Sequence, residues 1–181
     1  MNGIRGLWAG PYLEDVYGLD ALSIGQVTTF MALAMVAGSF LYGPLDTIFR
    51  TRKWVATGGT TITLLTLLFL AMNPVQEVFF VTVIFIVIGL SGSGFGLIMA
   101  HARAFFPDHL TGRGVTLMNF FSIGGVGVMQ FATGAVFTAR SVPGDPVSGY
   151  VALFSFYAIM VGLTLAIYLF SKDARPEMIT R

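Results

Sequence analysis

The sequence predicts an all-α protein, a polytopic bundle of membrane-spanning helices, and three observations support this fold class. Hydrophobic residues make up 55% of the 181 residues, and the mean hydropathy is +0.81. Charged residues make up only 10%, against about a quarter in soluble domains. Five apolar stretches are each about as long as the 17 to 25 residues that a membrane helix requires. So few ionised side chains cannot cover a water-facing surface, and we therefore expect a protein embedded in the lipid bilayer.

The five apolar stretches contain no Asp, Glu, Lys, Arg or His, and each is predicted to span the membrane. They cover approximately residues 23–43, 54–72, 78–100, 115–137 and 150–170. A sixth stretch, 2–13, is too short to cross roughly 30 Å of hydrocarbon at about 1.5 Å per residue. We interpret it as the second half of a helix, because a signal peptide would need a basic region before a longer apolar one. Residues 1–181 are then expected to form one unit of six helices whose first helix is truncated.

The Lys and Arg residues predict the orientation of the chain. Segments 46–53, 101–113 and 172–181 hold 3, 2 and 3 of the 10 Lys and Arg residues. The connections on the opposite face, 14–22, 73–77 and 138–149, carry five acids and the single base Arg140. Because cytoplasmic loops are enriched in Lys and Arg, we expect a multi-pass protein of the cell (inner) membrane with a cytoplasmic C-terminus.

Several classes of chemistry are disfavoured by the residues present. With no cysteine, the chain has no disulfide, no thiolate metal site and no cysteine nucleophile. His101 and His109 flank a basic loop without a third ligand at a suitable spacing, so solvated loop residues are expected rather than a metal site. No long run of basic residues suggests nucleic-acid binding. The sequence therefore predicts no catalytic residues, no metal, no cofactor and no nucleic-acid partner.

The most specific local pattern lies in residues 43–53, between the first two full spans. A basic loop accounts for its three bases, but not for Gly43 at a predicted helix end, Asp46 three residues later and Arg50 four after that. Gly43 would let another helix approach closely, while Asp46 would pair with Arg50 or lie at a helix N-terminus. We predict that Gly43, Asp46, Arg50 and Arg52 form a latch between conformers.

This pattern resembles the signature of the major facilitator superfamily, G-x-L-x-D-x-x-x-R-x-[RK], which joins the second and third helices of each half. Gly43, Leu45, Asp46, Arg50 and Arg52 match it. The resemblance implies the C-terminal half of a twelve-helix transporter, with helix seven truncated and the five full spans as helices eight to twelve. It implies transport of a small organic solute by alternating access, with a missing N-terminal half as partner. Residues 6–13 and 111–114, with Asn119 and Gln130, are similar to one bacterial branch of the family.

Polar residues inside the helices are the candidates for substrate binding, because polar groups at membrane depth are costly unless they face an aqueous cavity or a partner. The candidates are Arg5, Trp8, Tyr12, Gln26, Asn119 and Gln130. Asn119 and Gln130 are eleven residues apart and share one helix face. For each amide the alternative is a hydrogen bond that holds two helices together.

Arg5 lies in a stripe with Asn2, Trp8 and Tyr12 on the truncated helix. A charge at this depth would need an anionic substrate or an acidic side chain as its partner, unless the arginine reaches the interface and water. Trp8 and Tyr12 are expected to line a cavity or to belong to the interfacial aromatic belt.

Two alternatives remain open from the sequence. The glycines of 89–96 and 124–134 would permit close helix packing or, in helix ten, bending. The chain would otherwise be a non-transporting structural or assembly subunit, or a gene remnant, that associates with itself.

Overall fold

The computed structural model describes residues 3–174, except for the side chain of Asp108. Asn2, predicted to begin the truncated helix, and residues 175–181 of the predicted basic tail lie outside the described residues. Within the described residues there is no β-strand, and five helical segments are long and apolar enough to cross a membrane. The predicted all-α membrane helix bundle is confirmed.

The helices extend beyond the apolar stretches at most ends, since backbone hydrogen bonding continues into the polar rims. A π-helical turn at Ile4–Trp8 leads into α1, and the remaining helices follow in the order α1 (Ala9–Tyr17), α2 (Ala21–Phe49), α3 (Arg52–Met72), α4 (Val78–Ser91), α5 (Phe95–Arg103), α6 (Thr111–Arg140) and α7 (Pro146–Leu169). The first helix therefore continues past residue 13. It ends where Gly18 adopts a left-handed φ of 63°, a conformation that glycine takes without steric cost.

α2 does not end at Gly43 as predicted, and the signature residues from Gly43 to Phe49 are helical. Pro44 lies inside the helix, where it removes one backbone donor without ending the helix. The turn comes at Arg50, the one non-glycine residue with positive φ (51°) among residues 3–174. Thr51 then caps α3 by accepting a hydrogen bond of 3.2 Å from the Trp54 amide.

The predicted span 78–100 is broken into two helices. Gly92 and Gly94 bound a non-helical turn between α4 and α5, so the predicted helix ten is interrupted within its glycine-rich segment. Close packing holds for Gly89, because a Cβ there would lie 2.7 Å from the carbonyl oxygen of Met31. A Cβ on Gly38 would lie 2.4 Å from the carbonyl oxygen of Leu90. These two glycines let α2 and α4 pack with their backbones in close approach.

The bundle packs α2 on α4, α3 on α4 and α7, and α6 on α7. Its core centres on Tyr12, which is fully buried. The Tyr12 ring contacts Tyr17, Phe85, Tyr150 and Phe154, with centroids 5.0 to 6.0 Å apart. α6 contributes little to this buried core, since most of its length is exposed.

Hydrogen bonds define two ends of the bundle. At the end that we call the acidic end, Tyr12 donates to the Pro74 carbonyl and Tyr150 donates to Asp15. At the basic end, Thr51 donates to Asp173 at 2.7 Å. The connections that the charge pattern grouped together thus meet at the same ends.

Candidate functional site

Four of the six predicted substrate residues lie on exposed helix surfaces: Arg5 in the π-helical turn, Gln26 on α2, and Asn119 and Gln130 on α6. We call the exposed surfaces of residues 5–7, of α2 and of α6 together the open face; the π-helical turn contacts both α2 and α6. A shallow depression of about 510 Å³ is lined by α6 residues alone, among them Gln130. Within the described residues, these side chains do not enclose a pocket.

Four glycines of α6 belong to the open face as well. A Cβ on Gly124, Gly125, Gly127 or Gly134 would meet no atom within 4 Å. The predicted close-packing role is therefore not found for these four residues among the described residues, because no helix of this part of the chain covers them.

Arg5 makes no ion pair in the described part of the chain, where the one ion pair joins Asp46 and Arg52. The π-helical turn exposes Arg5, Gly6 and Leu7 between the buried residues Ile4 and Trp8. In this turn the Ala9 amide donates to the Ile4 carbonyl, five residues back. Such widened turns recur at functional sites.

Trp8 and Tyr12 lie inside the bundle rather than on the open face, with exposed fractions of 8% and 0%. The Trp8 indole donates a buried hydrogen bond of 3.1 Å to the Thr133 hydroxyl, and its ring centroid lies 4.9 Å from that of Phe137. The Tyr12 hydroxyl is also 3.3 Å from that of Tyr17. Both side chains hold the first helix against its neighbours.

Thr133 is a residue that the sequence analysis missed. It is fully buried on α6, most of which is exposed, and its hydroxyl also donates to the Gln130 carbonyl at 3.0 Å. The one available signal was a hydroxyl residue one helical turn after Gln130. Threonine within an apolar helix is commonplace, so the sequence did not distinguish it.

Two of the four predicted latch residues, Asp46 and Arg52, pair at the junction of α2 and α3, and the predicted pairing of Asp46 with Arg50 is wrong. Asp46 accepts from Arg52 Nε at 3.2 Å, and Arg52 Nη1 donates to the Ala100 carbonyl at 3.2 Å. Arg50 is exposed, because it occupies the left-handed turn after α2, whereas Arg52 begins α3 beside the end of α2. Gly43 is open at its Cβ position and lines a groove of about 300 Å³ between α2 and α5.

His101 is not a solvated loop residue as predicted. It lies on α5 with an exposed fraction of 3%. Its Nε2 donates to the Lys172 carbonyl at 2.9 Å, and its Nδ1 shares a hydrogen bond with the Tyr168 hydroxyl. His109, in contrast, is exposed.

The segment after α7 is fixed to the start of α3. Asp173 accepts from the Thr51 hydroxyl at 2.7 Å and from the Lys53 amide at 3.0 Å. Partial burial raises the pKa of Asp173, but these hydrogen bonds outweigh it and hold the pKa below its usual value. The basic end thus joins α2, α3, α5 and α7 through one polar network around Arg52, His101 and Asp173.

Comparison with known protein families gives a match over residues 4–180 to the family described as the Major Facilitator Superfamily. No match was found among curated proteins or among solved structures. The matched region includes the open face and the junction of α2 and α3.

Proposed function

Because the chain belongs to the Major Facilitator Superfamily, a family of transporters, we propose that it is the C-terminal half of a transporter that moves a small organic solute by alternating access. The family and the five apolar helices make the chain a multi-pass membrane protein. A transporter family also accords with the prediction that the chain is not an enzyme.

The open face supports the assignment to a half. A row of glycines and two amide side chains on α6 faces no helix of the described chain. Glycine surfaces and amides in membrane helices are typical of helix contacts or of water-filled paths. A second bundle of helices facing α2 and α6 would provide both. We propose that the missing N-terminal half is this partner and that the solute passes between the two bundles.

The chemistry of the solute is inferred from Arg5, and this residue carries the proposal. It is exposed on the open face and has no carboxylate partner among the described residues. A guanidinium group binds a carboxylate through two parallel hydrogen bonds. Gln26, Asn119 and Gln130 offer neutral donors and acceptors on exposed surfaces of α2 and α6. A small organic anion fits this combination.

The junction of α2 and α3 is proposed as the conformational latch. Arg52 holds Asp46 and the Ala100 carbonyl together, so it links the end of α2 to α5 through the start of α3. Rocking of the two halves requires such contacts at a helix junction to form in one state and to loosen in another. We further propose that the basic end faces the cytoplasm of a cell with an inner membrane, following the Lys and Arg distribution.

The test is uptake of radiolabelled organic acids into vesicles containing the complete protein. A panel of small carboxylates identifies a transported anion, and Arg5→Ala is then expected to abolish its transport. Arg5→Lys keeps the charge but loses the paired hydrogen bonds, so partial transport is expected. Arg140→Ala is the matched control, because Arg140 is an exposed arginine at the far end of α6. Equal transport by the parent and Arg5→Ala would overturn the role of Arg5.

A structural subunit that binds a second copy of itself is the alternative occupant of the open face. Replacing Gly127 with cysteine places a reactive thiol on the exposed side of α6, in a segment that contains no cysteine. Disulfide-linked homodimers in membranes would favour self-association. Protection of this thiol without homodimers, in the complete protein, would favour coverage by the N-terminal half.

A further inference from the structure

The π-helical turn that carries Arg5 is held on both sides by buried contacts. On one side Gly3 lies against α7, where a Cβ would lie 2.9 Å from the Tyr157 hydroxyl oxygen. On the other side Trp8 is bonded to Thr133 of α6. Ile4 and Trp8 are buried, while the three residues between them are exposed. The direction of Arg5 thus depends on how the turn is held between α6 and α7.

The backbone hydrogen bond of a π-helical turn spans five residues, one more than in an α-helical turn. Relaxation to an α-helical turn rotates the residues before it by about 100°, since an α-helix has 3.6 residues per turn. Pro11 has no amide hydrogen, so the Leu7 carbonyl within the turn lacks its α-helical donor four residues later. Gly6 and Gly10 have no Cβ, so no side chain at these two positions obstructs a change of register. The local sequence therefore opposes a change of register only weakly, and tertiary contacts decide which register is held.

We infer that Trp8 and Thr133 are positioning residues: their hydrogen bond keeps the turn in its π-helical register and so keeps Arg5 on the open face. The indole N–H of Trp8 is buried, and Thr133 is its acceptor. Without the Thr133 hydroxyl this N–H loses the acceptor that it has in the structure. Rotation of the turn then becomes favourable, because a buried donor without a partner is costly.

The same bond joins two parts of the open face, the π-helical turn and α6. Thr133 donates to the carbonyl of Gln130, so Trp8 is joined to the turn of α6 that presents the Gln130 side chain. Arg5 lies three residues before Trp8 in the π-helical turn. A shift of Trp8 therefore changes the distance between Arg5 and Gln130, which are both proposed to bind the solute. The consequence for transport rests on the proposed function, whereas the rotation itself does not.

The experiment measures cysteine labelling at positions 4 and 5, which needs no solute. These 181 residues contain no cysteine, so Ile4→Cys and Arg5→Cys each give one thiol, any cysteine elsewhere in the complete protein being replaced by serine. In membranes, N-ethylmaleimide is expected to label position 5 rapidly and position 4 slowly. Thr133→Val keeps the shape of the side chain and removes its hydroxyl. With this substitution we expect the difference between the two positions to be lost.

The controls separate positioning from general damage. Thr138→Val makes the same change at an exposed position of α6, and Thr133→Ser retains the hydroxyl; both are expected to keep the labelling difference. Trp8→Phe removes the donor instead of the acceptor and is expected to act like Thr133→Val. An unchanged labelling difference in Thr133→Val and Trp8→Phe would overturn the inference. Loss of folded protein in both variants would overturn it as well, because the bond would then hold the fold rather than aim Arg5. Transport by Arg5→Ala tests the proposed function separately.

Discussion

Replacing Gly38 with alanine should push α2 away from α4. The added methyl group would lie 2.4 Å from the Leu90 carbonyl oxygen and 3.0 Å from the Ser93 Cβ. Both neighbours belong to the chain at the end of α4, and the nearer one is a backbone atom that cannot turn aside as a long side chain would. The helices must separate, and the second close approach on this interface, at Gly89, is loosened with the first.

The magnitude follows from the size of this displacement. Ordinary contacts of a Cβ begin at 3.4 Å, so the backbones must move apart by about 1 Å. Overpacking of this kind costs about 1 to 3 kcal/mol. For a chain of this length each kcal/mol lowers the unfolding midpoint by about 2 to 4 °C, so a cost of about 2 kcal/mol predicts a decrease of roughly 4 to 8 °C.

The assay is thermal unfolding of the purified protein in detergent, followed as loss of the monodisperse peak in size-exclusion chromatography. Gly58→Ala is the matched control, because Gly58 is exposed on α3 and a Cβ there meets nothing within 4 Å. Alanine is a better helix former than glycine, so this variant should be unchanged or stabilised by up to about 1 kcal/mol. Equal midpoints for Gly38→Ala and Gly58→Ala would refute the close approach of α2 and α4.

Three further predictions concern polar contacts. Asp46→Asn should lower the free energy of unfolding by about 1 to 3 kcal/mol, because Arg52 loses a charged partner, while Arg50→Gln, at the exposed turn, should leave it unchanged in the same thermal assay. Tyr12→Phe should cost about 1 kcal/mol, since the buried hydroxyl that bonds to the acidic end is lost; an unchanged midpoint would contradict this. The depressed pKa of Asp173 means that its contribution to stability is present at neutral pH and is lost as the pH falls below 3.8. The midpoint of the parent should therefore fall more steeply with acid than that of Asp173→Asn, and parallel pH profiles would argue against the contacts of Asp173.

The sequence determined the number and course of the membrane helices because hydrocarbon tolerates so few residue types. Uncharged apolar stretches of this length are most stable when they cross the bilayer. The signature in residues 43–53 then identified the family. Arg5 could be selected as a candidate for a related reason, since a single charge within an apolar stretch is conspicuous. These predictions depend on which residues short segments contain, and they require no knowledge of how the segments pack against one another.

Only the tertiary structure decided which side chains meet. Asp46 pairs with Arg52 because Arg50 lies in the left-handed turn between α2 and α3. His101 is buried because the segment after α7 packs against α5. Trp8 lies inside the bundle because Thr133, 125 residues away in the chain, accepts its indole hydrogen bond. Helical periodicity specifies the faces of one helix, but the neighbour that covers each face is selected by packing between distant segments, which no local pattern records.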